Sequence, residues 1–389
     1  MTTTPYNPEL RILHFGRFYN ENFGGLERQV MYLLEKLNEQ ENVAADNLVA
    51  ADRLRTEILP VKNYTVYKAA SFGVLASTAV SPLMPLIARQ LLRVRGYQIA
   101  HLHFPDPLSA LCAYFFPRHV KIVITWHSDV IRQTTLLRFL RPLVDPIIRR
   151  ADAIVAATPR HFASSTQLGA ADPARKHVIP FGLPLEQFEA TPAIQAGAAR
   201  LRAKYAPDDS RPVIFAVGRH IYYKGFEYLI RAMRDVPDAV LLLGGGGPLH
   251  ESLRQLAGEL GLGDRIVFTG RIPDEELVHY YHACDIYCMP SVAPSEAFGL
   301  VQVEAMASGK PVVCCELNNG VTYVNRHGET GLVVPPREPA ALARALNDLC
   351  SSPELRQRLG RQAYERVWSE FTTDIMGSRM LELYRKLAS

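Results

Sequence analysis

Two cations and two carboxylates stand at spacings that chemistry can use. In Gly218–Gly225, GRHIYYKG, Arg219 and Lys224 lie five residues apart on a loop leaving one strand and entering a helix. An arginine fork and a lysine point charge so placed can hold two phosphoryl groups, although alone they read equally well as solvated surface cations. In EAFGLVQVE (296–304), Glu296 and Glu304 are separated by seven residues across an expected helix start. Glu296 precedes that helix, whose first free amides, at Phe298, Gly299, Leu300 and Val301, are open to an anion. Glu304 lies in the second turn, within reach of hydroxyls of the same ligand; singly, either acid is also what a helix N-terminus attracts through its dipole. Carboxylates for hydroxyls, beside cations and amides for phosphates, suit a nucleotide sugar.

Three further segments bear on the same chemistry. Gly24 and Gly25 follow the first strand and precede the first helix, where unpaired N–H groups favour a phosphate, though a glycine pair is also an ordinary turn. In TWHSD (125–129), His127 and Asp129 end a strand and are expected to face the binding crevice, with Asp129 orienting His127 or touching an acceptor. In GGGGP (244–248) a dinucleotide fingerprint would need glycine at 249, where Leu249 stands, so Gly244 is read as part of a loop shaping the nucleotide end of the crevice. No Asp-x-Asp follows a strand, and the histidines and cysteines are scattered without ligand spacing. No metal ligand or cofactor is therefore assigned, and positive side chains with helix amides are expected to neutralise a leaving diphosphate.

These residues need elements to position them. Apolar runs of strand length alternate with segments of helical period along the chain, the pattern of an α/β fold with parallel sheets. Strands are expected at ILHFG, Gln98–Phe104, Lys121–Trp126, Ala153–Ala157 and His177–Pro180, about five in a first doubly wound domain over residues 1–182. Helices are expected between them, the basic stretch 132–150 being broken as a single helix by Pro142 and Pro146. Residues 183–210 read as a linker running into a short helix. A second series, from PVIFAVG through AVLLLGGGG, RIVFTG, DIYCMPS, PVVCC and GLVVPP, makes a second domain over 211–370. The last helix, about 371–389, is expected to pack back onto the first domain. Open sheets bind at the carboxyl ends of their strands, so a crevice facing both domains is the expected site.

Composition narrows the classes. With 389 residues, 48% hydrophobic and 21% charged, the chain can bury enough surface for two cores, which excludes disorder over most of its length. Six cysteines without a C-x-x-C pair fit a reducing cytoplasm; the first ten residues have neither the basic start nor the apolar stretch of a signal peptide, and no run of about 18 apolar residues occurs, so neither export nor a membrane span is expected. The net charge of +4 divides unevenly, +7 over residues 1–182 and −3 over 183–389. Residues 86–150 alone hold ten Lys/Arg against Asp106, Asp129 and Asp145. Such a patch attracts an anionic partner, and no recognition motif points to nucleic acid.

The glycine pair after the first strand, GRxxxxKG, the E-x7-E pair and GETGLVVPP together resemble the retaining glycosyltransferases of family 4, over nearly the whole chain. The resemblance implies the GT-B fold of two Rossmann-like domains. It implies Glu296 on the sugar hydroxyls, Glu304 on the ribose hydroxyls, Arg219 and Lys224 on the diphosphate, Gly25 and the amides near Leu300 completing the phosphate site, and His127 beside the transferred sugar. Where many members have Gly-Gly then Pro-Glu, this chain has Asn319-Gly320-Val321-Thr322-Tyr323-Val324-Asn325, which leaves the role of Tyr323 open. That variant resembles a subgroup of bacterial polysaccharide mannosyltransferases and directs the expected donor to GDP-mannose. The expected acceptor is a saccharide, free or linked to polyprenyl diphosphate, and the basic stretch with its apolar residues is expected to meet an anionic membrane from the cytoplasmic side. A nucleotide-sugar 2-epimerase and a non-catalytic sugar-nucleotide-binding subunit are the rival readings.

Overall fold

The computed structural model describes residues 8–18, 25–75, 78–129, 134–207 and 211–389, and the chain divides into two compact units. Unit one comprises Met1–Leu183 with Thr372–Ser389, and unit two Pro184–Phe371. In chain order, unit one holds β1 (Leu10–Phe18), α1 (Gly25–Leu37), β2 (Val43–Ala50), β3 (Glu57–Val61), β4 (Tyr64–Ala69), the short ribbon β5 (Val74–Leu75) and β6 (Thr78–Ala79), and α2 (Met84–Val94). It continues with β7 (Ile99–Phe104), α3 (Pro107–Ala113), β8 (Lys121–Trp126), α4 (Thr134–Arg150), β9 (Ala153–Ala156), α5 (Pro159–Ser164) and β10 (Lys176–Val178). Unit two holds α6 (Pro192–Tyr205), β11 (Val213–Val217), α7 (Phe226–Ala232), β12 (Val240–Gly244), α8 (His250–Glu259), β13 (Ile266–Gly270), α9 (Asp274–Ala283) and β14 (Ile286–Met289). After these come α10 (Leu300–Ala307), β15 (Val312–Cys315), α11 (Val321–Val324), β16 (Gly331–Val334), α12 (Pro339–Ser351) and α13 (Pro353–Glu370); the last helix, α14 (Thr373–Ala388), returns to unit one.

The sheet of unit one runs β10-β9-β8-β7-β1-β2-β4-β3 and is parallel except for β3 at its edge. Strand order reverses between β1 and β7. Alternation sorts the side chains: Leu13, Phe15, Leu102 and Ile124 join the core under α2, α3 and α4, whereas Ile12, Ile99, Val123 and Val155 join the core under α1 and α14. Helices on both faces explain why these strands read as continuous apolar runs. The sheet of unit two runs β13-β12-β11-β14-β15-β16, all parallel, and reverses between β11 and β14.

Two expectations are corrected here. Unit one has more strands than five, because β2, β3 and β4 carry polar residues that obscure the apolar run. Asp46 in β2 accepts hydrogen bonds from the Thr65 amide (2.8 Å) and the Tyr97 hydroxyl (2.5 Å), so it belongs in a sheet despite its charge. Pro142 and Pro146 lie within a single helix, α4. Burying Ile147 and Ile148, with Leu143 and Val144 packed beside them, contributes about 1.5–3 kcal/mol per fully buried side chain, against about 3 kcal/mol for an interior proline. The short helix expected within 183–210 is α6, which packs on α9 so tightly that a Cβ on Gly197 would fall 2.3 Å from the His279 ring.

Candidate active site

In unit two the candidate residues gather at the β11/β14 reversal, the place where an open parallel sheet leaves a crevice beyond its strand ends. Gly218 follows β11, and its amide donates to the carbonyl of Gly244 at the end of β12 (3.2 Å); His220 N–H donates likewise to Gly246 (2.8 Å). The glycine-rich loop is thus knitted to the loop that carries Arg219 and Lys224. Gly225 then turns the chain into α7 with φ 68°, and a Cβ there would sit 2.1 Å from the Pro290 carbonyl oxygen. Val292 N–H also donates to the Tyr223 carbonyl (2.8 Å). These close approaches press the Lys224 loop onto the segment after β14. In consequence Lys224 Nζ meets Glu296 Oε2 at 2.5 Å, with side chains 14% and 12% exposed, and Ser291 Oγ donates to the same oxygen at 3.0 Å. Arg219 is exposed, and among the described residues no carboxylate pairs with it.

Glu296 is held from behind as well. Asn319 Nδ2 donates to its carbonyl (2.6 Å), Asn319 Oδ1 accepts from Val321 N–H (3.1 Å), and Gly320 N–H donates to the Ala297 carbonyl (3.0 Å). Phe298 is buried, Gly299 caps α10 with φ 75°, and Leu300 and Val301 open that helix. A Cβ on Gly299 would lie 2.8 Å from Met289 Cε, and a φ of 75° is one that residues with a side chain rarely adopt. Glu304, one turn further, accepts from the Tyr281 hydroxyl at 2.7 Å. Burial, then the nearby Glu304 charge, raises the Tyr281 phenol well above its ordinary value, which keeps it a donor. Tyr323 packs edge-on to Phe371 beneath the Arg366 guanidinium, which also bonds its carbonyl (2.8 Å). Tyr323 is thus an aromatic packing contact in this chain.

In unit one Gly25 opens α1, while Gly24 lies outside the described residues. His127 follows β8, stacks on Phe181 (centroids 5.5 Å apart, planes 19°) and is hydrogen-bonded through Nε2 to His103 Nδ1 at 3.1 Å. Asp129 joins two segments of unit one. Its oxygens accept from Trp126 Nε1 (3.0 Å), Ser165 Oγ (2.6 Å) and Thr166 N–H (2.8 Å), tying the segment after α5 to the end of β8.

Sequence reasoning missed the group behind His127. His14 on β1 and His101 and His103 on β7 bring ring nitrogens within 4.8 Å of one another, so topology undoes the scatter that argued against a histidine cluster. The available signal was period: 101, 103, 125 and 127 alternate along adjacent strands and must share one face. Ser291 was also missed, a short polar residue in a loop without a spacing signature, and Asn319 was read only as part of a variant segment, without its bond to the Glu296 carbonyl.

Comparison with known proteins now bears on this geometry. Residues 198–366 match the family Glycosyl transferases group 1, and residues 23–187 match Glycosyltransferase Family 4. The chain is 35% identical over 366 residues to D-rhamnosyltransferase WbpZ of Pseudomonas aeruginosa, covering 93% of this chain and 92% of that one. It is 30% identical to O-antigen chain mannosyltransferase C of Escherichia coli over 97% of this chain and 99% of that one. Among solved structures, Anabaena HepE in complex with UDP superposes with a TM-score of 0.78 at 20% identity, covering 97% of this chain and all of that one (100%). Two parallel α/β units, the paired Lys224 and Glu296, and full-length likeness to such transferases lead to one conclusion: the chain belongs to the GT-B glycosyltransferases of family 4.

Proposed function

We propose that the protein transfers mannose, with retention at the anomeric carbon, from GDP-mannose to a saccharide acceptor during synthesis of a bacterial surface polysaccharide. The observation that carries this reading is the Lys224–Glu296–Ser291 constellation beside the glycine cap of α10. Glu296 binds hydroxyls of the transferred sugar, Glu304 those of the ribose, and Lys224 and Arg219 meet the diphosphate together with the amides near Leu300 and at Gly25. Gly218 and Gly244 shape the nucleotide end, and His127 faces the transferred sugar. As the glycosidic bond lengthens, charge grows on the leaving diphosphate, and fixed cations and amides stabilise that charge more than they stabilise the bound donor. These groups supply the positive charge for which other transferases use a metal ion, so the proposal includes activity without one.

The two relatives support a manno-configured donor, being named for mannose and for D-rhamnose, which differs from mannose only in lacking the hydroxyl at C6. D-rhamnose is therefore the second donor to test. A thermal-shift screen of GDP-mannose, GDP-D-rhamnose and UDP-glucose tests the donor, since a ligand bound by the native state alone raises the melting temperature by mass action. Stabilisation by UDP-glucose only would refute the manno reading. Transfer by the isolated chain, rather than epimerisation without an acceptor, separates it from the two rival readings.

The acceptor is proposed to be linked to a polyprenyl diphosphate at an anionic membrane. No helix among the described residues is long and apolar enough to cross a membrane. Support comes from α2, α3 and the residues flanking them, where Leu83, Leu86, Val94, Leu111, Tyr114 and Phe115 are exposed, as are Arg89, Arg93, Arg95 and Arg118. The contribution of α4 is smaller than its charge suggests, since Arg141 pairs with Asp145 (3.3 Å) and Arg150 bonds the Ala113 carbonyl (2.8 Å). Arg132 and the Arg138 side chain lie outside the description. Binding to anionic but not neutral liposomes, weakened by salt, tests this part.

A further inference from the structure

The C-terminal helix places a tyrosine at the centre of the histidine group. Tyr384 of α14 is fully buried, and its hydroxyl is hydrogen-bonded to His101 Nδ1 and reaches His14 Nε2 at 3.4 Å. His101 Nε2 meets Thr125 Oγ1 at 2.7 Å, His14 Nδ1 meets His103 Nε2 at 3.1 Å, and His103 Nδ1 meets His127 Nε2 at 3.1 Å. Five hydrogen bonds therefore join six groups in one unbranched line: Thr125, His101, Tyr384, His14, His103, His127. Burial disfavours the charged forms and pushes His14, His101 and His103 well below the ordinary imidazole range, so each carries one ring proton.

One proton per group constrains the line severely. If Thr125 donates to His101 Nε2, then His101 must donate from Nδ1 to Tyr384, Tyr384 to His14 Nε2, His14 from Nδ1 to His103, and His103 from Nδ1 to His127. His127 is then protonated at Nδ1. If the line runs the other way, all four histidines are protonated at Nε2 and Tyr384 donates to His101. A mixed state leaves a donor or an acceptor unmatched among buried side chains, which is costly.

We propose that Tyr384 and the buried histidines form a proton-ordered line that fixes the tautomer of His127, making Tyr384 a positioning residue for the transfer reaction. The proposal rests on the reading of His127 as the group beside the transferred sugar, because the tautomer decides whether its Nδ1 donates or accepts there. It also gives α14 a chemical task in addition to its packing on α1.

Two-bond 1H–15N correlation of the histidine rings in the full chain tests it. The wild type should show His14, His101 and His103 neutral and in one tautomer, with the Nε2 of His127 protonated or bare to match. Tyr384→Phe, which removes one oxygen and keeps the ring, should break that uniformity and lower kcat about tenfold with KM for the donor unchanged. Mixed tautomers in the wild type, or a Tyr384→Phe protein with unchanged tautomers and kcat, would overturn the proposal. Stoichiometric zinc in the purified protein, lost in His14→Ala, would overturn it in favour of a metal centre. Wild-type turnover in His127→Ala would instead sink the functional reading of His127 and leave the line itself standing.

Discussion

At the strand reversal of unit two the polar groups are charged and partly open, Lys224 against Glu296 with Arg219 exposed nearby; at the corresponding reversal of unit one they are neutral and sealed, His14, His101 and His103 beneath α14. One architecture thus produces two electrostatic environments, and the difference lies in what covers the strand ends. A charge taken out of water costs several kcal/mol unless paired, so the site proposed to meet a diphosphate pairs Lys224 with Glu296 and leaves Arg219 in solvent. A site that must only orient a proton can be buried, because a neutral imidazole hydrogen-bonded at both nitrogens pays little for burial.

The largest expected effect comes from breaking the charged side. Lys224→Ala should lower turnover about a hundredfold or more while the circular dichroism spectrum is unchanged, as loss of one contact to a developing anion commonly does. Arg219→Ala should act in the same sense but more weakly, its side chain being exposed. Activity within twofold of wild type in both would remove the diphosphate assignment.

Next in size is the backbone that brings Lys224 to Glu296. Gly225→Ala puts a Cβ 2.1 Å from the Pro290 carbonyl oxygen at φ 68°, so unit two should lose about 2 kcal/mol or more in urea unfolding. An unchanged midpoint would mean that the two loops are not pressed together as described.

Acid sharpens the contrast between the units. Burial lowers His103 to about 3 and His161 to about 4, and both lie in unit one. Their folded values lie below the unfolded value of 6.5, so the stability they contribute is full above pH 6.5 and is lost as pH falls towards the folded values. Each such group withdraws about 1.4 kcal/mol per pH unit in that window. In hydrogen exchange at pH 7 and pH 5.5, amides of unit one should lose protection before those of unit two. Equal losses would contradict the sealed, neutral picture. The smallest expected effect is none at all: EDTA should leave the rate unchanged, and loss of activity restored by Mg²⁺ would show that Lys224 and Arg219 do not suffice.

Much of this was legible in the sequence, and the reasons differ by element. The strands Lys121–Trp126 and Val312–Cys315 announce themselves because both their faces are buried, and Gly299 and Glu304 because a helix start has a strict spacing. The strands β2 to β4 did not, since Asp46 and Asn47 sit in the middle of β2 and break its apolar run. The continuity of α4 through two prolines was illegible because tertiary packing outweighs local propensity. The histidine line was hidden for a topological reason: residues 14, 101, 127 and 384 meet only once the strand order and the return of α14 are known. Asn319 was hidden because its bond to the Glu296 carbonyl spans two loops.

Titration calorimetry of GDP-mannose against the wild type, Lys224→Ala and Glu296→Gln tests the central claim most directly. The wild type should bind with one site, Lys224→Ala should weaken binding of both GDP-mannose and GDP, and Glu296→Gln should weaken binding of GDP-mannose while leaving GDP nearly unchanged. Indistinguishable affinities in all three proteins would contradict a donor site built on the Lys224–Glu296 pair.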